Sequence, residues 1–341
     1  MSENDTIAVI IAAYNAERTI TRAVESVVND KFVNQVIVVD DCSTDNTMQV
    51  LTCLNAKFSK VSIFSTEVNS GPGKARNIAL SRAISKWVTV LDSDDYIETG
   101  RYEKLLAYSE GEDLIADDKF RINETDPLAR KTKMLGDRQD FPAIISLSDF
   151  IESNITKKGE FRKELGFIKP IIKRQFLEKY NLSYRENMRL GEDYEFYCRC
   201  LILGAKLKLI EASGYVAVVR ENSLSGNHSK TDLIHLRDCD YALAKIKSLS
   251  SQERKLLLRH AKSINMKMNL YEKSYHKSSF LRQVVRKLKL DVQIFEKDIF
   301  KEENLISGSI IARAFKPLPI ILELVEKSFK NYTNLIVFMG K

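Results

Sequence analysis

The sequence predicts an α/β protein, a doubly wound and mainly parallel sheet followed by a C-terminal helical extension. Three observations carry this. The first hundred residues contain apolar runs of strand length. Between them lie stretches with apolar residues at helical spacing. Their order, β-α-β-α-β-α-β, is that of a sheet covered by helices on both faces.

Thr6–Tyr14 (TIAVIIAAY) is continuously apolar, as expected of a strand buried on both faces. Ile20, Ala23, Val24, Val27 and Val28 then follow the i, i+3, i+4, i+7, i+8 stripe of a helix. Val33–Asp40 is the second buried strand, and Thr47, Val50, Leu51 and Leu54 mark a second helix that Asp45 can cap. Val61–Ser65 is a third strand. A Gly-rich turn at Asn69–Gly73 leads into a helix carrying Ala75, Ile78, Ala79 and Ala83, and Trp87–Leu91 is the fourth strand. Periodicity then weakens. Asp113–Ala116 reads as a short strand, residues 121–143 as a loop, Gly191–Gly204 as a helix and Tyr215–Arg220 as a strand. From about Thr231 the chain reads as helical and rich in Lys and Leu, which places a boundary near residue 228.

The 341 residues carry 53 Lys and Arg against 46 Asp and Glu, a formal charge of +7. This total is unevenly placed: residues 1–120 sum to −7, residues 121–230 to +5 and residues 231–341 to +9. The two ends are therefore expected to meet different partners. A hydrophobic content of 44% argues against general disorder. No apolar run approaches the roughly 18 residues needed to cross a bilayer. The polar, acidic start shows no secretory signal. Cys42, Cys53, Cys198, Cys200 and Cys239 are scattered and lack zinc spacing, so reduced thiols in a cytosolic protein are expected. Positive charge without interleaved aromatic residues gives no support to nucleic-acid binding.

In a parallel α/β sheet, ligands bind beyond the carboxyl ends of the strands. The residues placed there are Tyr14, Asp40, Asp41, the Asn69–Asn77 turn with Lys74 and Arg76, and Asp92-Ser93-Asp94-Asp95. Carboxylates crowded at one rim repel one another, and a hard divalent cation such as Mg²⁺ or Mn²⁺ is a simple way to hold them, with Asp92 and Asp94 as its ligands. The Asn69–Asn77 turn holds G-x-G but has Arg76 where a dinucleotide fingerprint needs its third Gly, and no phosphate-binding loop of the Walker type occurs. Arg76 and Lys74 suit anionic oxygens near a helix N-terminus. Gly191-Glu192-Asp193 puts acids in the first turn of a helix, where Asp193 is either a favourable charge for the helix dipole or a general base. His228, in a loop after a strand, is a candidate metal or phosphate ligand. Taken singly, each of these has an ordinary reading as a turn, a cap or a surface charge.

Their order adds weight. VIIAAYN, VIVVDDCSTDNT, NSGPGKARNIAL, VTVLDSDDY and GEDYEFYCRCL occur in this sequence in one succession. This succession resembles the family 2 glycosyltransferases of GT-A fold, over roughly residues 5–225, and among them the bacterial enzymes of exopolysaccharide, capsule or lipopolysaccharide assembly. The resemblance implies an inverting transfer of a sugar from a nucleoside-diphosphate sugar, UDP-linked, to a hydroxyl of a glycan or lipid-linked acceptor. It implies that Tyr14, Asp40, Asp41, Arg76 and Asp92 bind the donor, that Asp94, with Asp92, holds Mn²⁺ or Mg²⁺, and that Asp193 is the catalytic base. His228 matches no motif of the family. Ala12 and Ala13 depart from it, since relatives often carry Ser or Thr there.

On this reading residues 1–228 form the glycosyltransferase domain, with a nucleotide-sugar half (1–110) and an acceptor half (111–228). Residues 229–341 form a basic, mainly helical region. Within it, 261–290 holds eight Lys and Arg against Glu272 alone, so an anionic membrane surface is a candidate partner of 261–341, on the inner face of the plasma membrane. A sugar nucleotidyltransferase is the first alternative, although the Gly-rich loop it needs after the first strand is replaced by AAYNAERT. A non-catalytic nucleotide-sugar-binding subunit is the second, and Asp92, Asp94 and Asp193 argue against it.

Overall fold

The computed structural model describes residues 5–124, 131–136, 140–155, 163–219, 229–264, 268–272, 274–288, 292–301, 305–306, 309–313, 318–331 and 334–338. The chain divides into two compact units. One comprises residues 1–228 with 234–264, the other residues 229–233 with 265–341. The first unit therefore runs on past residue 228, where the sequence pattern placed its end.

The first unit opens with β1 (Ile7–Ala13), α1 (Ile20–Val28), β2 (Val33–Asp40), α2 (Thr47–Lys57), β3 (Val61–Ser65), α3 (Pro72–Leu80) and β4 (Trp87–Val90). It continues through β5 (Tyr96–Ile97), α4 (Arg101–Leu106), β6 (Leu114–Asp117), β7 (Phe120–Asn123), β8 (Thr132–Lys133), β9 (Ala143–Ile145) and α5 (Leu147–Ser153). Then come β10 (Ile171–Lys173), α6 (Arg174–Lys179), α7 (Glu192–Ile202), β11 (Leu207–Ile210), β12 (Tyr215–Val219), α8 (Lys230–Leu243), which belongs to this unit from residue 234 on, and α9 (Ser251–Ser263).

The main sheet has eight strands in the order β3-β2-β1-β4-β10-β6-β11-β9. Strands β1 to β4 are mutually parallel where they pair, as the apolar runs predict. Successive side chains of a strand face opposite sides, and the core follows that alternation. Ala8 and Ile10 of β1 pack on one side with Ala75 and Ala79 of α3. Ile7, Val9 and Ile11 pack on the other with Ile20, Ala23, Val24 and Val27 of α1. A second sheet, β5-β12-β7-β8, joins β12, which the sequence predicts as a strand, to β5 and to β7 and β8, which lie mostly in the stretch 121–143 read as a loop. Its short strands in a charged, Pro-containing segment leave no usable periodicity.

One strand changes the site. β10 is antiparallel to both neighbours, with Ile171 paired to Thr89 of β4 and to Ile115 of β6. An antiparallel strand presents its start where parallel strands present their ends. The residues just before Ile171 therefore reach the carboxyl rim of the sheet, among them Lys169. Its backbone is fixed there by a fully buried cation: Arg101 donates from NH2 to the Lys169 carbonyl at 2.6 Å and to Asp117 at 2.7 Å.

The second unit contains α10 (Tyr275–Leu288) and α11 (Leu318–Ser328), as its Lys- and Leu-rich sequence predicts. It also contains short strands: β13 (Met268–Tyr271) pairs in parallel with β14 (Val292–Phe295), β15 (Leu305–Ile306) with β17 (Phe329–Asn331), and β16 (Ser309–Arg313) with β18 (Asn334–Phe338). Ile310, Ile311, Ile336 and Val337 are β-branched, which favours a pleated surface over a helix.

Losing one partner of a buried ion pair leaves an uncompensated charge, a cost of about 3–5 kcal/mol. Asp117→Ala is accordingly expected to lower unfolding free energy by about that amount in urea titration; a change under about 1 kcal/mol would show that the Arg101 pair does not hold the rim.

Candidate active site

The rim is built by loops that tie one another down. After β1, the Asn15 amide donates to Ser43 Oγ at 2.9 Å, and Asn15 Oδ1 accepts from the Thr44 amide at 2.8 Å. Tyr14 stands 44% exposed beside this junction. Asp40 and Asp41 are both buried but do different things. Asp40 accepts the amide and hydroxyl of Ser43 and closes the turn after β2. Asp41 reaches the Gly-rich loop, accepting the Ser70 amide at 2.9 Å, the Gly71 amide at 2.7 Å and the Thr66 hydroxyl at 2.8 Å. Gly71 sits at φ +89°, a region that favours glycine, immediately before Pro72 opens α3.

Arg76, on α3, is buried. Its NH1 donates to Glu192 Oε1 at 2.7 Å and to Asp193 Oδ1 at 2.9 Å, and its NH2 donates to Asp92 Oδ1 at 2.9 Å. Lys169, equally buried, donates to Asp193 Oδ2 at 2.6 Å and lies 2.9 Å from Asp92 Oδ2. Two cations thus hold three acids from two parts of the chain, Asp92 after β4 and Glu192 and Asp193 on α7. Burial alone would push the Asp92 carboxyl up, but the charges of Lys169 and Arg76 override it and hold it well below the ordinary carboxylate range. Burial would likewise lower Lys169, and Asp193 and Asp92 instead raise it above an ordinary lysine.

A second polar chain lies beneath. The Asp92 amide donates to the Tyr215 hydroxyl at 3.2 Å, which donates to Asp95 Oδ2 at 2.9 Å. The Val218 amide donates to Asp95 Oδ1 at 2.9 Å. Burial, with the negative charge of Asp92, raises the Asp95 carboxyl to about 7. The Lys119 ammonium, 5.0 Å over the Tyr215 ring, is lowered by its own burial.

Residues 8–168 match the model of glycosyl transferase family 2. The succinoglycan biosynthesis protein ExoU of Rhizobium meliloti is 38% identical over 265 residues, 77% of this chain and 77% of its own length. The chain belongs to glycosyltransferase family 2. A second protein of this kind from the same organism, succinoglycan biosynthesis protein ExoO, is 34% identical over 63% of this chain and 61% of its own length. The crystal structure of Staphylococcus aureus TarS 1–349 in complex with UDP-GlcNAc superposes with a TM-score of 0.59 at 22% identity, over 75% of this chain and 73% of that one. That likeness shows a shared GT-A fold.

For this glycosyltransferase, the structure brings Arg76, Asp92 and Asp193 into direct contact. Both oxygens of Asp92 are engaged by Arg76 and Lys169, as both oxygens of Asp193 are. Asp94, two residues on and partly exposed, receives the Arg22 guanidinium on its backbone carbonyl. Asp40, predicted to bind donor, accepts both of its side-chain hydrogen bonds from Ser43 of its own turn. Lys74 is exposed and outside the cluster, and His228 lies outside the described residues. All five cysteines are free thiols, with Cys198, Cys200 and Cys239 buried. Among the described residues, no three His, Cys, Asp or Glu side chains converge as a ready metal cage.

The residue that sequence reasoning missed is Lys169. It had a signal: it is the one charge in LGFIKPII, and a lysine inside an apolar run is buried only with acidic partners.

The Asp95 shift gives a signed expectation. A folded carboxyl near 7, against 3.8 in the ordinary case, makes the folded state hold its proton more tightly. The stability this contributes is fully present below about 4 and is lost as pH rises through about 7. Relative to Asp95→Asn, the parent should lose urea stability across that window. Parallel pH curves for the two proteins would contradict the shift.

Proposed function

We propose that this glycosyltransferase moves a sugar, with inversion, from a UDP-sugar to a hydroxyl of a glycan or lipid-linked acceptor in bacterial surface polysaccharide synthesis. The observation that carries the reading is the position of Asp193. It sits in the first turn of α7, its carboxylate bound on one oxygen by Arg76 and on the other by Lys169, next to the donor-side Asp92. The names of the succinoglycan proteins and the UDP-GlcNAc complex of TarS support the substrate classes.

In this mechanism the acceptor hydroxyl gives its proton to Asp193. Its oxygen bonds to the anomeric carbon from the face opposite the leaving group. The bond from that carbon to the diphosphate oxygen breaks, and the nucleoside diphosphate leaves with the electron pair. Arg76 and Lys169, which meet at Asp92 and Asp193, are the charged donors this reading assigns to the leaving anion. Asp41 uses three of its roughly four acceptor positions on Thr66, Ser70 and Gly71. The remaining one suits an N–H of the base, with Tyr14 as a stacking face. Asp40 supports that loop indirectly, through Ser43.

Charge balance supports a metal. Two cations and three acids leave the Arg76 cluster short of positive charge for an arriving diphosphate. Mg²⁺ and Mn²⁺ commonly bind through one or two carboxylates plus substrate phosphates, and the oxygen-only donors of this rim fit them. Asp94 is the fitting protein ligand. A bound ion would supply Lewis-acid charge to the departing diphosphate.

Removing the base should cost about 10²–10⁴-fold in transfer. Asp193→Asn is expected to bind UDP as the parent does and to lose transfer on that scale; transfer at the parent rate would overturn the base assignment. Asp94→Ala should weaken UDP binding in Mn²⁺ but hardly in EDTA, read by calorimetry. An unchanged Mn²⁺ titration would remove Asp94 from the metal role.

We also propose peripheral attachment to anionic membrane through residues 261–341. Tyr275 and Phe280 on α10 are 65% and 63% exposed, and exposed Lys277 and partly exposed Arg282 accompany them on that helix. Among the described residues no helix is long and apolar enough to cross a membrane. Reversing Lys277 and Arg282 to Glu should reduce flotation with phosphatidylglycerol vesicles, and equal flotation would end this part of the reading.

A further inference from the structure

The base sits between two residues that are held by parts of the chain beyond the 8–168 match. Gly191, just before Glu192 and Asp193, caps α7 at φ +73°. Leu236 of α8 lies so close over it that a Cβ there would stand 2.4 Å from Leu236 Cδ1. On the other side, the Tyr194 hydroxyl donates to Asp240 Oδ1 of α8 at 2.9 Å. Asp240 Oδ2 in turn lies 2.7 Å from His260 Nδ1 of α9. Asp240 is fully buried, and Tyr194 and His260 nearly so.

Packing leaves the Tyr194 ring little room. It lies 4.6 Å from the His260 ring and stacks on Phe150 of α5 at 5.8 Å. A Cβ at Gly166 would come within 3.1 Å of Tyr194 Cβ. A buried carboxylate with a tyrosine and a histidine is costly unless every partner is met. Here both oxygens are met, and the partners fix one rotation of α7. That rotation then presents Asp193, about 100° around the helix from Tyr194, to Arg76 and Lys169. A hydrophobic contact in place of Asp240 would pack Tyr194 without fixing the height of its hydroxyl.

We infer that α8 and α9 form a clamp on the first turn of α7, in which Asp240, through Tyr194, is a positioning residue for the Asp193 base. His260 sets the orientation of Asp240, and Leu236 closes the Gly191 side. This rests on Asp193 being the base. A misplacement of about 1 Å at a reacting group can cost on the order of 10²-fold, so the clamp acts on turnover rather than on donor affinity.

The test uses the full chain with Mn²⁺ and whichever of UDP-glucose, UDP-galactose, UDP-GlcNAc or UDP-glucuronate most raises its melting temperature. Release of UDP gives kcat and KM. Tyr194→Phe keeps the ring packing and removes the hydroxyl; kcat is expected to fall about 10- to 100-fold with donor KM unchanged. Asp240→Ala should do the same, and Asp240→Asn, which still accepts from Tyr194, should recover most of the loss. Placed on Asp193→Asn, Tyr194→Phe should cost nothing more, because both changes act through one group. A parental kcat for Tyr194→Phe, or an equal further loss on the Asp193→Asn background, overturns the clamp. Should Asp240→Ala fail to fold, Tyr194→Phe and its double variant still decide. Full activity of Asp193→Asn itself would instead overturn the base reading, which keeps the two failures apart.

Discussion

The site depends on two buried cations that are each shared between acids of different elements. Arg76 comes from α3 and Lys169 from the turn before β10, yet both contact Asp92 after β4 and Asp193 on α7. Without them, three carboxylates would face one another in a poorly solvated space, and charge repulsion would drive them apart or protonate them. With them, the end of the parallel sheet and the first turn of α7 are fixed to a common point. A guanidinium suits this because its donors leave in fixed directions, and the ammonium of Lys169 suits it because it can turn between two carboxylates. Asp92 and Asp193 therefore hold their separation through the same pair of groups.

The parallel half of the fold was legible because its physics is local. A strand buried on both faces must be apolar throughout, and α1 shows its stripe over nine residues. Arg76, Asp92 and Asp193 were legible because they lie in short motifs at the ends of such elements. β10 was not, since three residues carry no period, and its direction is set by pairing with β4 and β6. Asp240 and His260 were not, because their meaning lies in a contact to Tyr194 across 46 residues and to each other across 20. Asp40 and Asp41 show a subtler limit. Two adjacent acids at a strand end look interchangeable in sequence, but one folds back onto Ser43 and the other crosses to the Gly71 amide.

The buried polar groups also divide by purpose. Arg101 and Asp117 are fully enclosed and hold the Lys169 carbonyl, so their charge serves geometry alone. Asp95 and Tyr215 tie the Asp92 amide to β12, which fixes the end of β4. A buried ion pair is weak support for stability, since apolar residues of similar volume often do as well. Its use here is direction. Each pair joins two segments at one angle, and each segment so joined carries a residue of the rim.

This explains why the sheet is interrupted by an antiparallel strand. In a purely parallel sheet every strand brings only its last residues to the carboxyl rim, and these are followed by loops that must also start a helix. The ends of β1, β2 and β4 are already used in that way. A further parallel strand beside β4 would add another outgoing loop, which is exposed and mobile compared with a residue held within the sheet layer. β10 enters from the rim instead. Its leading residues pass between β4 and β6, where Arg101 can grip the backbone at Lys169 and burial can be complete. Reversing one strand is thus the means by which a long, flexible lysine is delivered, buried and rigid, to the point where two halves of the site meet.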